Sequence, residues 1–415
     1  MTAIVTRGNA ADLLLPDETV DLIVTSPPYF GLRSYQDGGE HYAGQVGDEA
    51  TPTEYLDALI VCTAEWMRVL KPGGSIFVNL GDSYYSGKGA PGRTTVDAKS
   101  EARTARRAGG NPLDGPSFGI GRKSLVGLPW RYAIRCIDEL GLILRAEIVW
   151  AKPNGLPESV TDRVRRSHEQ VFHFVKQPRY YSAVDEVREQ YNPATAARYA
   201  SGMRPSAVAA TKTTTNGPLR RDDAGPAAPN PLGKLPGSVW TIPTAPLRVP
   251  ESLGIDHFAA YPPELVRRII LGWSPREVCT ACGEGRRPVS EGERTNGGHP
   301  VAKAAWGEVK AKTATGHRNN FQTIRTLTGY TCACPDTTAP ATPGVVLDPF
   351  GGTGTTALVA SAHGRVGISV DLSADYCRLA QWRTTDPGER ARVLGVAKPA
   401  PVVEGQLGMF EGITA

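Results

Sequence analysis

The sequence predicts an α/β fold around a parallel-rich sheet. Three observations point there: short apolar, β-branched runs that stop at Pro or Gly, intervening stretches whose apolar residues recur at helical spacing, and a closing strand, turn, helix, strand unit.

The elements follow in chain order. Val20 to Thr25 is an apolar run ended by Ser26-Pro27-Pro28-Tyr29, so it reads as a buried strand leading into a stiff loop. Between Thr53 and Leu70 the residues Leu56, Leu59, Ile60, Thr63, Trp66, Met67 and Leu70 share one helical face. Lys71-Pro72-Gly73-Gly74 is expected to end that helix ahead of a strand over Ser75 to Leu80. A helix over Leu128 to Leu140 and strands over Leu142 to Trp150 and Glu169 to Val175 continue the alternation. Periodicity fails between about Pro193 and Pro250, where Ala, Pro, Thr, Gly and Arg dominate, and resumes at Pro263 to Leu271. Val345 to Asp348, Thr355 to Ala362 and Val366 to Val370 form the closing strand, helix and strand, and no solenoid-like repeat is evident.

At 415 residues, with 40% hydrophobic and 21% charged residues, the chain is globular with room for two or three domains, and 46 Gly with 34 Pro imply many turns. No apolar run reaches membrane-spanning length, and Met1 to Gly8 has no stretch suited to a signal peptide, so a soluble cytoplasmic protein with no membrane partner is expected. The net charge of +4 says little, but its distribution says more. Lys88 to Lys123 carries Arg93, Lys99, Arg103, Arg106, Arg107 and Arg122, and Lys303 to Arg325 is also basic; both segments suit phosphate contact, or are merely solvated loops.

Seven cysteines in a chain of this length do not make a disulfide scaffold. Cys62, Cys136 and Cys377 fall in apolar periodic segments and read as core. Cys279 and Cys282 form a C-x2-C pair and Cys332 and Cys334 a C-x-C pair, a set of four thiolates suited to a closed, structural Zn2+ site; His299 and His317 lie between the pairs as substitute ligands.

The turn Asp348-Pro349-Phe350-Gly351-Gly352-Thr353-Gly354-Thr355 stands where a strand meets a helix, so its glycines admit a ligand to the backbone and its amides face a helix N-terminus. Asp371, at the end of the next strand, is placed as an acceptor for ribose hydroxyls. The turn matches neither the dinucleotide nor the P-loop pattern.

Together with Thr25-Ser26-Pro27-Pro28-Tyr29, this turn resembles the amino-group DNA methyltransferases, with their catalytic S/D-P-P-Y and AdoMet-binding D-P-F-x-G-x-G-T motifs. The catalytic motif comes first, as in the circularly permuted β group. His257 to Leu265 is similar to the family's additional cofactor motif, and Glu147 to Asn154 with His168-Glu169 to a further block. The resemblance covers most of the ordered chain outside Lys88 to Lys123, Pro193 to Pro250 and Cys279 to Cys334.

The resemblance implies a Rossmann-like mixed sheet in permuted order with two insertions. The expected organisation is a catalytic half over 1–192 with a basic loop at about 86–124, a target-recognition or linker segment over 193–250, the additional cofactor motif over 251–275, a zinc-binding insertion over 276–338, the AdoMet-binding half over 339–395 and a tail over 396–415. It also implies that Ser26, Pro27, Pro28 and Tyr29 act on the target base, and that Asn9, Ser26, His257, Phe258, Asp348, Phe350, Gly351, Gly352, Thr353, Gly354, Thr355 and Asp371 hold S-adenosyl-L-methionine (AdoMet). Asn9 stands where the family usually has Asp, and Ser369 where it has Gly. The implied partner is double-stranded DNA, with a homodimer suggested by the β group. Ser at the first motif position favours cytosine N4 over adenine N6. Methylation of RNA or of a protein amide, and a zinc-containing nucleic-acid-binding protein with an inactive methyltransferase fold, are the other readings.

Overall fold

A mixed eight-stranded sheet organises the molecule. The structure, a computed structural model, describes residues 2–31, 36–37, 40–41, 44–85, 119–121, 123–155, 157–158, 160–195, 230, 232–247, 249–255, 260–296, 321–334 and 338–398. The basic loop and the recognition segment foreseen from sequence therefore lie largely outside the described residues, as do His257, Phe258 and nearly all of the C-terminal tail.

In chain order the elements are β1 (Ala3–Arg7), β2 (Val20–Thr25), the two-residue partners β3 (Gln36–Asp37) and β4 (Glu40–His41), α1 (Pro52–Val69) and β5 (Leu70–Leu80). There follow α2 (Leu128–Asp138), β6 (Ile143–Ala151), β7 (His168–Val175), β8 (Val239–Thr241), α3 (Pro263–Trp273), β9 (Glu277–Cys279), β10 (Arg287–Asn296) and β11 (Phe321–Thr331). The chain ends through β12 (Ala341–Pro343), β13 (Val345–Asp348), α4 (Thr355–Ala362), β14 (Val366–Asp371), α5 (Ala374–Thr385) and α6 (Pro387–Leu394). It divides into two compact units, one of Met1–Ser182, Gly237–Arg286 and Thr338–Ala415, the other of Ala183–Pro236 and Arg287–Thr337.

In the first unit the sheet order is β1-β14-β13-β2-β5-β7-β6-β8. The pairs from β1 to β5 are parallel, β7 runs against both β5 and β6, and β8 is parallel to β6. Every residue of β2 is buried, because apolar layers cover both faces of the sheet. Val20 and Ile23 pack with Leu59 and Trp66 of α1 and Tyr132 and Cys136 of α2; Leu22 and Val24 pack with Val266 and Ile270 of α3 and Leu358 and Val359 of α4. Cys62, Cys136 and Cys377 are buried, as expected.

Helix α1 starts at a reciprocal cap, in which Glu54 N–H donates to Thr51 Oγ1 and Thr51 N–H to Glu54 Oε2. Its end corrects the sequence reading. The helix stops at Val69 and β5 begins at once, so Leu70 and Lys71-Pro72-Gly73-Gly74 belong to the strand. Buried Leu70 pairs with Val20 and Ser75 with Leu22, which leaves 71–74 as an irregularity in the ladder. Lys71 Nζ donates to Asp21 Oδ1 at 2.7 Å, while Asp21 Oδ2 accepts from Val345 N–H at 2.8 Å, so one carboxylate joins β2, β5 and β13.

Sequence periodicity did not show β1, β8, α5 or α6, nor the second unit's antiparallel hairpin of β10 and β11. Elsewhere in that unit Arg188 donates to Asp185 and to the Gly233 carbonyl, and Glu189 bridges to Lys234. Among the described residues no helix is long and apolar enough to cross a membrane.

His173 of β7 stacks on Phe77 at 4.2 Å, with Nε2 3.1 Å from Ser75 Oγ. Burial, helped by the charge of Arg145, pushes its imidazole down to about 3. The unfolded chain takes up this proton near 6.5 and the native chain only near 3, so His173 withdraws stability as pH falls through that window. Chemical denaturation across the window should therefore show a shallower acid loss in His173→Asn than in the wild type.

Candidate active site

The candidate site residues gather at one edge of the sheet because parallel strands present their carboxyl ends together. Gly8 follows β1, Ser26 follows β2, Asp348 ends β13 and Asp371 ends β14. Asn79 is the penultimate residue of β5 and Lys152 follows β6. Since β7 is reversed, its second residue Glu169 comes to the same edge, opposite Trp150. Between them lies a cavity of about 1010 Å³, walled by Ser26 to Tyr29 on one side and by Pro349 to Thr353 and Asp371 on the other.

The glycine-rich wall is shaped by close approaches. A Cβ on Gly351 would lie 1.9 Å from Ser369 Oγ, and one on Gly354 2.8 Å from the Ala380 methyl; Gly352 and Gly354 have φ of 48° and 73°, the left-handed region that suits glycine. Asp371 holds the turn from the next strand, accepting from Gly352 N–H through Oδ2 at 2.8 Å and from Ser373 N–H through Oδ1 at 2.9 Å. Behind it the buried Arg383 guanidinium pairs with Glu389 at 2.9 Å and donates to Thr353 Oγ1 at 2.8 Å and Thr355 Oγ1 at 2.6 Å.

Asp348 lies behind this wall and is absent from the cavity lining. Its Oδ2 accepts from Tyr261 at 2.7 Å and Thr356 at 2.8 Å, and its Oδ1 from Phe350 N–H at 3.2 Å. Burial pushes its carboxyl above the usual range against the pull of these donors. Asp348 thus shapes the start of the turn. Asn9 and Gly354 are also outside the lining, and Asn9 Oδ1 accepts from Ala11 N–H at 3.0 Å.

On the opposite wall, the Tyr29 hydroxyl donates to Glu169 Oε2 at 2.7 Å, and Asn79 Nδ2 donates one proton to the same oxygen at 2.8 Å and shares the other between Tyr29 Oη at 2.9 Å and Ser26 Oγ at 3.3 Å. Lys152 Nζ donates to Glu169 Oε1 and lies 4.3 Å from the Trp150 ring centre. Burial, then the charge of Glu169, pushes the Tyr29 phenol well above its ordinary range, so it stays a neutral donor. Pro28 O accepts from the Tyr55 hydroxyl at 2.9 Å, which anchors the loop. Lys152 and Glu169 stood in a recognised block without a role; Asn79 carried no signal, since only the Thr25 to Val78 register puts it beside Ser26.

Cys279 ends β9, and the Gly283 N–H donates to its carbonyl at 2.9 Å, closing a tight turn that displays Cys282. Cys332 and Cys334 follow β11 in the second unit.

A model of the N6/N4 DNA methylase family matches residues 20–279 and 337–382. The chain belongs to this family. It is 35% identical over 267 residues to the type II methyltransferase M.Cfr9I of Citrobacter freundii, covering 64% of this chain and 70% of that one. To M.SmaI of Serratia marcescens it is 39% identical over 175 residues, covering 42% and 56%. Among solved structures, the PvuII DNA methyltransferase, described as cytosine-N4-specific, aligns over 95% of this chain and 91% of its own with 18% identity and a TM-score of 0.49. The family match makes this methylase an amino-methyltransferase.

Its turn makes a specific packing demand. Gly351→Ala should lower unfolding free energy by about 1–3 kcal/mol through overpacking against Ser369. Urea titration should show Ser369→Gly restoring most of that loss in the double variant.

Proposed function

We propose that this methylase transfers a methyl group from AdoMet to the exocyclic N4 amine of cytosine in double-stranded DNA, by base flipping and direct transfer with no covalent enzyme intermediate. The observation that carries the reading is the single cavity in which the Ser26 to Tyr29 loop faces the glycine-rich turn. Its volume suits a cofactor with a base beside it.

The residues present fit AdoMet. The turn gives a ligand access to its backbone, Phe350 offers an aromatic surface in the cavity wall, and the Asp371 carboxylate, an acceptor in that lining, suits ribose hydroxyls. Bound there, AdoMet supplies an already activated methyl group. The protein's own contribution is to orient the acceptor. An exocyclic amine delocalises its lone pair into the base and becomes nucleophilic as acceptors draw on its N–H bonds. Ser26 Oγ and the Pro27 carbonyl supply them, the prolines keep that carbonyl out of sheet pairing, and the Tyr29 ring stacks on the extruded base.

Ser26 favours cytosine, with adenine N6 the alternative on the same fold. The type II names of the relatives support service in a restriction-modification system. DNA incubated with the protein and labelled AdoMet, then digested to nucleosides, should yield N4-methylcytosine by mass spectrometry. N6-methyladenine would overturn the base assignment, and the absence of any labelled nucleoside would remove DNA as the acceptor.

The two walls should separate by mutation. Ser26→Ala should lose methyl transfer on the order of 100-fold with AdoMet affinity kept, whereas Asp371→Ala should weaken AdoMet binding by calorimetry at least about tenfold, as expected for a lost charged hydrogen bond. The reverse pattern would exchange the assignments.

Cys279, Cys282, Cys332 and Cys334 are proposed to bind one structural Zn2+. The C-x2-C spacing on a tight turn and the all-thiolate donor set suit zinc, and the family match omits 280–336, as an insertion would. Purified protein should contain one zinc per chain, and chelation should lower its melting temperature; metal-free protein with unchanged stability would reject the site.

A further inference from the structure

The target amine presents only donors to the group that must accept from it, yet a serine hydroxyl can turn either way, as one donor or as two lone pairs. If the Ser26 proton faced the base, it would oppose the amine hydrogens. The surroundings of Ser26 decide which way it turns.

Glu169, when ionised, can only accept. Its Oε2 takes the Tyr29 hydroxyl proton at 2.7 Å and an Asn79 amide proton at 2.8 Å, and Lys152 balances its charge through Oε1. The one proton of Tyr29 is thereby committed, so Tyr29 Oη presents lone pairs to Asn79 Nδ2 at 2.9 Å and to Ser26 Oγ at 3.4 Å. The same carboxylate fixes the Asn79 amide, since Oδ1 in place of Nδ2 would oppose two acceptors. Ser26 is left to donate its proton to Tyr29 Oη; Asn79 has two amide protons for three acceptors, so the one directed at Tyr29 Oη is shared with one lone pair of Ser26 Oγ at 3.3 Å, and the other Ser26 lone pair is left for the cavity. Within this hydrogen-bond chain Asn79 is buried and the Glu169 side chain is 13% exposed.

We propose that Glu169 is a positioning residue that sets the hydrogen-bond polarity of Tyr29 and Ser26, so that Ser26 meets the target amine as an acceptor. The proposal rests on amine methylation of DNA in this cavity. It is indifferent to the base, because cytosine N4 and adenine N6 both present donors.

The test uses the full chain with Glu169→Gln, Tyr29→Phe and the double variant. An amide both donates and accepts, so Glu169→Gln retains size and hydrogen bonding but no longer dictates direction. Single-turnover methyl transfer should fall on the order of 100-fold in Glu169→Gln, the scale for losing one oriented group at a reacting centre, with DNA and AdoMet affinities within about threefold of wild type. Tyr29→Phe should fall as well, and the double variant should be no slower than the slower single variant, because both act through one chain. Without DNA or cofactor, the Cζ signal of Tyr29 in 13C-tyrosine NMR should move in Glu169→Gln. A full rate in Glu169→Gln, additive losses, an unmoved signal, or a loss accounted for by DNA affinity would each overturn the proposal. Should Glu169→Gln fail to fold, a full rate in Tyr29→Phe overturns it by itself and a reduced rate supports it. A different methylated base in wild type would revise the base assignment alone, whereas no transfer to DNA by wild type would overturn both readings.

Discussion

The site depends first on the register among β13, β2 and β5. Those three parallel strands deliver Asp348, Ser26 and Asn79 to one edge, and a slip of one residue would turn each side chain to the other face of the sheet. Asp21 helps hold that register, taking Lys71 from β5 and Val345 N–H from β13. Burial pushes its carboxyl up against the pull of these partners, mainly Lys71. A buried carboxylate on β2 kept between donors from the two neighbouring strands penalises alternative alignments, each of which would strand a polar group.

Reversal of β7 is the second constraint. A fifth strand parallel to β5 would have carried its amino end to the far edge, away from Ser26. Running antiparallel, β7 brings Glu169 beside Asn79 and opposite Trp150, and β6 brings Lys152 to the same place. The wall around Ser26 is thus assembled from four strands, and the charges of Lys152 and Glu169 meet there. The glycine-rich wall is more local, built from β13, the turn and α4, then braced by Asp371 and Arg383. The two walls differ accordingly in how they could be recognised.

Motif reading reached the local wall because strand, turn and helix are contiguous, although the steric demands on its glycines come from farther off, Gly351 meeting Ser369 on the adjacent strand and Gly354 meeting Ala380 of α5. It assigned Asp348 to the cofactor, whereas the folded chain places that carboxylate behind the turn with Tyr261, Thr356 and Phe350 N–H. The departure at Ser369 acquires a meaning in three dimensions: its side chain fills the space beneath Gly351. The helix end at Lys71 to Gly74 was misplaced for a related reason. Pro and Gly commonly stop a helix, but burial of Leu70 against α1 and its pairing with Val20 ended this one earlier.

What the sequence by itself determined is the alternation of strands and helices, the Ser-Pro-Pro-Tyr loop at Ser26 to Tyr29, the glycine-rich turn and the two cysteine pairs, because each is written in neighbouring residues with a fixed local geometry. Only the tertiary structure decided which residues surround Ser26. Asn79, Lys152 and Glu169 are separated from it by 53 to 143 positions; Asn79 carries no local pattern, and the block that holds Lys152 and Glu169 does not say what they touch. Their meeting follows from strand order and direction, which arise from burying both faces of one sheet.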